Sequence, residues 1–519
     1  MLFDRLMSFA KKTPMYKFAM ARQHIVLKSP TLSHIYFKII KKYMITMGFR
    51  TIPCYTNNMS PEQSLNEIQK FCDTSKREKI LFAGHICYSN RIPYIAEMAK
   101  KLPEYQFIVF VENGASNYNR IQTFKYEGFT NQEDKNWMKF FISPGILTKD
   151  KYPCYESKKI TKEMRDIINS KSYLMDAEAV FKKRHYDMGS GYPAFFAYSS
   201  YVYINSLLDI MNPAAIVLWN MFHPLHHIFD EVCKERGIKT IYFEFGTLPG
   251  TYAFEKYGQM GESYPAKYCE DFKNLEINND DLENAKKVSK YLYESGLYRT
   301  SGTYRNISAI TKKMKPARPT IFFAGQNDYE SGLFPYSEHT KKCHSPIFKS
   351  SDEAAEFLSN VAEKNNWNFI YKKHPLVTAY ELPKKTQKNV ISGEGIGIND
   401  LIDLSDVTIT ILSQTGYVST IRKKPTIMLG YTQLKNKGCT YEAFTKEDIE
   451  PTILKALVNG FTANQEEAFE KHVAQVVKYY VYDDLTKKPL TYGKSIDDSA
   501  MFLKKELLNE NERGDQPVQ

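Results

Sequence analysis

No two of the eight cysteines form a Cys-x-x-Cys pair; they stand at positions 54, 72, 87, 154, 233, 269, 343 and 439. That spacing fits neither a zinc ribbon nor a small disulfide scaffold, so reduced thiols in a cytoplasmic protein are expected. Runs of about 18 apolar residues are missing too, which speaks against a membrane-spanning helix. The N-terminus lacks the apolar centre of a signal peptide. There is no Gly-x-x-x-x-Gly-Lys-Ser/Thr loop, and the cluster Gly393-Glu-Gly-Ile-Gly397 falls short of the dinucleotide spacing. No His/Asp/Glu spacing marks a metal site and no Asp-x-Asp pair occurs, so no metal and no cofactor is expected.

Acidic residues are almost absent from the first 50 positions. Ten Lys/Arg stand there against Asp4 alone, which accounts for most of the formal net charge of +11. The rest of the chain is nearly neutral, so it carries no basic stripe through a folded body and nucleic acid is not an expected partner. A basic arm containing Phe3, Phe9 and Tyr16 suits an anionic membrane surface, which would make the protein peripheral at the inner face of the membrane. The same segment also reads as a helix packed on the body with its basic face in water.

At 519 residues the chain exceeds one ordinary core, and 43% hydrophobic with 25% charged content is that of a globular protein. Short apolar runs ending at polar, Gly- or Pro-bearing turns alternate with helical text, the pattern of parallel α/β sheets. In the first half they are 79–84, 107–111, 139–143, 214–218 and 239–243. In the second they are 320–325, 367–371, 406–411 and 425–429. Helices are expected at 92–101, 161–183, 226–236, 466–480 and 497–509. The organisation expected is a basic helical extension (1–75), a first Rossmann-like domain (76–270), a helical linker (271–315), a second Rossmann-like domain (316–460), and C-terminal helices with a tail (461–519).

Ligands of such sheets bind beyond the carboxyl ends of the strands. Lys373 and His374 directly follow the 367–371 run, where Pro375 ends the ladder, and a cation with an imidazole suits a phosphate or carboxylate. Ser413, Gln414, Thr415 and Gly416 stand where a strand passes into a helix, a place for hydroxyls and free amides to meet an anion. Gln326 follows the 320–325 run. A group-transfer site also needs a carboxylate as base or nucleophile. Candidates are Asp328, Glu330, Glu112, Glu244 at a strand end, and Glu255 in the loop after it.

Two α/β domains facing a cleft is the layout of GT-B transferases. The motifs resemble the capsular polysaccharide biosynthesis family, GT-B enzymes that use CMP-Kdo. Gln326-Asn-Asp-Tyr-Glu-Ser331 is similar to that family's Gln followed by Asp-Ser, with Glu330 where Asp is usual. Lys372-Lys-His-Pro375, Ser413-Gln-Thr-Gly416, Lys424-Pro425 and Gly430-Tyr431 resemble further motifs of the second domain. Trp219-Asn220 and Glu244-Phe-Gly246, continuing through Thr251, resemble motifs of the first, with Glu255 where an Asp is common. The resemblance covers about 215–440.

It implies a glycosyltransferase of capsular or surface polysaccharide biosynthesis that needs no metal. The donor would be a nucleotide-sugar, CMP-Kdo by preference, held through Lys373, His374 and Ser413. A glycan or lipid-linked acceptor would lie near Trp219, Asn220 and Gly246. A CDP-dependent transferase of glycerol- or polyol-phosphate, and a non-catalytic partner in glycan assembly, remain alternatives.

Overall fold

A computed structural model describes residues 60–84, 86, 91–111, 138–142, 158–184, 190–297, 307–374, 390–486 and 488–508. The basic N-terminal arm, Glu112 and Pro375 lie outside the described residues. Among the described residues, no helix is long and apolar enough to cross a membrane.

The first sheet contains β1 (Glu78–Gly84), β2 (Tyr105–Val111), β3 (Met138–Ile142), β4 (Ala215–Trp219), β5 (Lys239–Phe245) and β6 (Thr251–Glu255). The second contains β7 (Thr320–Ala324), β8 (Asn368–Lys372), β9 (Val390–Ser392), β10 (Val407–Thr410), β11 (Thr426–Met428) and β12 (Tyr441–Glu442). A last strand, β13 (Val481–Asp483), returns to the first sheet, whose order is β13-β6-β5-β4-β1-β2-β3. The second sheet runs β12-β11-β10-β7-β8-β9, and all its pairs are parallel. Each order grows outward from its first strand in one direction, then jumps back and grows in the other. This is the doubly wound Rossmann arrangement, with switch points between β1 and β4 and between β7 and β10. The fold is therefore two Rossmann-like α/β units, the GT-B layout.

The strands are legible as apolar runs because both faces are buried. In β1, Ile80 and Phe82 pack in one cluster and Leu81 and Ala83 in another; in β7, Ile321 and Phe323 separate from Phe322 and Ala324 in the same way. Burying each such Phe is worth about 1.5–3 kcal/mol, so two-sided burial rather than strand propensity holds these central strands.

Three readings change. The expected helix over 161–183 is two helices, Lys162–Asn169 and Ser172–Arg184, because Ser170 ends the first by turning its hydroxyl back to the Ile167 carbonyl. The strand expected at 239–243 continues to Phe245, and the loop expected after it is a hairpin. Glu244 pairs with Ala253 and Glu255 with Tyr242 in the antiparallel β5–β6 ladder. Glu244 is thus inside a strand rather than at its end, and Glu255 closes β6 rather than sitting in a loop. The 461–508 stretch, read as helices, also supplies β13, paired antiparallel with β6. Its last helix, Ile496–Leu508, lies on the helix Arg91–Lys101, where Tyr94 donates to Ser499 Oγ at 3.0 Å.

The two units touch through Lys437. Lys437 Nζ donates to the carbonyls of Pro265 (2.8 Å) and Cys269 (3.0 Å). The C-terminal helices hold the linker in turn, where Gln475 Nε2 donates to the carbonyls of Lys273 (2.7 Å) and Leu275 (3.0 Å).

Candidate functional site

The switch point of the second sheet is closed by one side chain. Gln326, just beyond β7, accepts from the Leu412 amide through Oε1 (2.8 Å) and donates from Nε2 to Ser331 Oγ (3.0 Å). It ties the loop after β7 to the loop after β10 and is only 5% exposed. Bonds at both ends of the amide fix Gln326 in the wall of the site.

Beside it opens a crevice lined by Gln326, Asp328, Tyr329, Phe334, Ser350, Ser351, Asp352, Tyr371, Lys373 and His374, and by Lys183 of the first unit. Lys373 and His374 leave β8 here, as the strand-end reading expects. Lys373 Nζ pairs with Asp352 Oδ1 at 3.0 Å, and Tyr371 donates to the same oxygen at 3.2 Å. Burial holds the His374 imidazole below its ordinary value and Lys372 adds to this, while Glu330 works the other way. His374 therefore enters the crevice neutral at pH 7. The other lysine of the motif, Lys372, turns its ammonium to the Ile396 carbonyl, away from this role.

Asp328 is committed to the fold. Its two oxygens accept from the amide (2.9 Å) and the hydroxyl (2.6 Å) of Ser351, the first residue of the helix Ser351–Lys364. A carboxylate at a helix N-terminus satisfies an orphan amide and complements the helix dipole. The helix in turn brings Ser350, Ser351 and Asp352 to the crevice. Glu330 is half-buried and acts electrostatically on His374.

The Ser413–Gly416 turn lies at the carboxyl end of β10, across the switch point, but its hydroxyls are turned inward. Ser413 Oγ accepts from the Thr415 amide (3.2 Å), and its hydroxyl donates to Thr415 Oγ1 (2.9 Å). Thr415 and Gly416 are buried, and a Cβ at position 416 would press on Met428 Sδ. Of these four, Ser413 and Gln414 retain partial exposure.

In the first unit, Gly84 and Trp219 are register partners at the β1–β4 switch point. Trp219, 6% exposed, packs edge-on against Phe243 and Phe245, and the Arg91 guanidinium stacks 3.3 Å from its ring centre. Asn220 takes the left-handed conformation (φ 62) that turns the chain out of β4, and its carbonyl meets His226 Nδ1 at 2.7 Å. Gly246 opens the hairpin: a Cβ there would collide with Thr251 Oγ1, so the turn itself requires glycine. Glu255, 2% exposed, accepts from the Tyr264 amide at 2.7 Å. Burial pushes its carboxyl up to about 8, only partly offset by the Tyr264 amide, so it holds a proton at neutral pH.

The structure therefore gathers Gln326, Asp328, Lys373 and His374 in one crevice and adds Lys183, which no sequence motif signals. Lys183 lies near the end of the helix Ser172–Arg184, with Nζ 4.2 Å from the Phe334 ring centre.

No family model matches the chain, and no curated protein does. Solved structures do match. KpsC of Thermosulfurimonas dismutans, a beta Kdo 2,7 transferase, is 16% identical over 59% of this chain and 89% of its own, with a TM-score of 0.35. The spinosyn forosaminyltransferase SpnP is 11% identical over 83% and 99%, with a TM-score of 0.31. The glycosyltransferase SnogD from Streptomyces nogalater is 10% identical over 83% and 100%, at 0.30. The fold is defined by the strand orders of the two sheets.

Proposed function

We propose that the protein is a glycosyltransferase that uses a nucleotide-sugar donor. The observation that carries this reading is the crevice at the carboxyl edge of the second sheet, where Lys373 and His374 meet Lys183 from the facing unit. Two ammonium groups and a neutral imidazole suit the phosphate of a nucleotide, and the switch point of a doubly wound sheet is where such a ligand binds. The first unit across the cleft would receive the acceptor.

In the transfer, an acceptor hydroxyl attacks the anomeric carbon. The bond from that carbon to the phosphate oxygen breaks, and the leaving nucleotide keeps the electron pair. Lys373 and Lys183 offset the charge that develops on it, and His374 donates an N–H to it. The acceptor proton must go to a base. Glu330, whose charge acts on His374, is the carboxylate proposed for that role. The reading assigns no metal to the transfer step.

The finer reading is a role in capsular or surface polysaccharide assembly, with CMP-Kdo as donor and a glycan or lipid-linked acceptor. It rests on the motif resemblance through Lys372–Pro375, Ser413–Gly416 and Gln326–Ser331. The basic arm of residues 1–50 would then bring a cytoplasmic enzyme to the inner face of the membrane.

The test is an assay of the purified chain against CMP-, CDP-, UDP- and GDP-activated donors, reading released nucleotide with and without glycan acceptors. Release from one donor class, lost in Lys373→Ala, supports the reading. A folded protein inert with every donor contradicts it and favours a binding partner in glycan assembly.

A further inference from the structure

Away from the crevice, three potential ligands from the two units converge. Glu262 follows β6 in a short turn, and its Oε1 lies 3.1 Å from His339 Nε2 and 3.0 Å from His344 Nε2. The two histidines belong to one segment of the second unit, the helix Glu338–Cys343 and the residue after it. The three ligand atoms all lie within 4.8 Å of one another.

The geometry points to a binding site for a divalent transition-metal cation of the zinc class, formed by Glu262 of the first unit and His339 and His344 of the second. Two imidazoles and a carboxylate are ligands that zinc accepts. Zinc bonds of about 2.0–2.2 Å in a tetrahedron set neighbouring ligand atoms about 3.3 Å apart, so a cation enters with small adjustments of the side chains. The frame around the trio is tight. A Cβ at Gly261 would collide with the Cys343 carbonyl, and one at Gly332 would meet both Phe222 and His344. His344 is 1% exposed, whereas His339 is 63% exposed, so one side is open to solvent for entry and for a water as fourth ligand. A second trio, His227, Asp230 and Glu231, is a poorer candidate. There Asp230 is already paired with Lys234 (2.8 Å) and Tyr242 (2.9 Å).

The cation would act on position rather than on bond-making. His344 backs Gly332 in the loop that carries Asp328, Tyr329 and Phe334 to the crevice. Joining it to Glu262 through a metal would lock that loop to the first unit and set the width of the cleft.

The experiment uses the full chain, freed of any purification tag and never exposed to chelator. Metal content, zinc titration by thermal shift and the absorbance of the cobalt form are compared in wild type, His339→Ala and Cys343→Ser. His339 is exposed, so its replacement is expected to fold. Wild type should carry about one zinc per chain and gain thermal stability from it. His339→Ala should bind zinc at least about 10-fold more weakly, and Cys343→Ser should bind it as wild type does. Zinc, cobalt and manganese all failing to bind stoichiometrically to wild type would overturn the proposal, leaving a plain hydrogen-bonded contact between the units. Equal zinc in His339→Ala would also overturn it. So would loss of zinc in Cys343→Ser, because Cys343 Sγ lies 3.8 Å from His339 Nδ1 and such a result would assign the metal to the thiol.

Discussion

Lys183 places its ammonium 4.2 Å from the centre of the Phe334 ring, so a side chain of the first unit forms part of the wall of a crevice cut into the second. If this crevice is the nucleotide site proposed, affinity depends on how the two units face each other. Lys183→Ala is expected to weaken nucleotide binding about 5- to 10-fold, the share of one exposed charge-assisted contact, with the thermal midpoint unchanged. Calorimetric titration measures it; undiminished affinity would remove Lys183 from the donor site.

Asp352 sits on Lys373 and adds a negative charge where a phosphate is proposed to bind. Asp352→Asn is expected to tighten nucleotide binding several-fold at low salt. Because the effect is a charge term, it should fade at about 1 M salt, where the Debye length is about 3 Å. Weaker binding in the variant would mean that the Lys373–Asp352 pair holds the lysine in its working position.

Asp328 distinguishes a fold-maintaining acid from a catalytic one. Losing its two bonds to Ser351 should lower unfolding free energy by about 1–2 kcal/mol in Asp328→Ala, measured by denaturant titration, while the folded fraction still transfers. An inactive variant of unchanged stability would restore Asp328 as the nucleophile or base.

Glu255 makes the fold sensitive to alkali. Its carboxyl ionises near its ordinary value of 4.5 when unfolded and near 8 when folded, so between those values the unfolded chain has released a proton that the native chain keeps. Stability therefore falls as pH rises from about 4.5 to about 8, by several kcal/mol in order of magnitude. Glu255→Gln, which needs no proton to stay neutral, should melt higher than wild type at pH 9 and lose that advantage near pH 4. Parallel melting curves across that range would show that the buried carboxyl is already ionised.

The second sheet is legible in sequence because its strands are buried on both faces and end at polar turns, which puts Gln326, Lys373 and His374 on one edge. The β5–β6 hairpin is not legible. Gly246 and Pro249-Gly250 read as an open loop, and the antiparallel return of β6 is held by Val481 and its neighbours, about 230 positions away in the chain. The same non-locality hides the inward turn of the Ser413 and Thr415 hydroxyls, since a strand-to-helix junction looks alike whether its hydroxyls cap the chain or meet a ligand. Lys183 has no motif at all; its place depends on the packing of one unit against the other. Glu262 and His339, 77 positions apart, meet for the same reason.

Nucleotide binding to wild type and His374→Ala, measured side by side with CMP, CDP, UDP and GDP, tests the central claim most directly. The account predicts that CMP binds wild type in preference to the others. It predicts that His374→Ala binds CMP at least about 10-fold more weakly while melting at the same temperature, as expected for a half-buried side chain that serves a ligand. A preference for another nucleotide that is lost in the variant would keep the site and replace the donor. Equal binding by both proteins, or binding by neither, would contradict a nucleotide site at the end of β8.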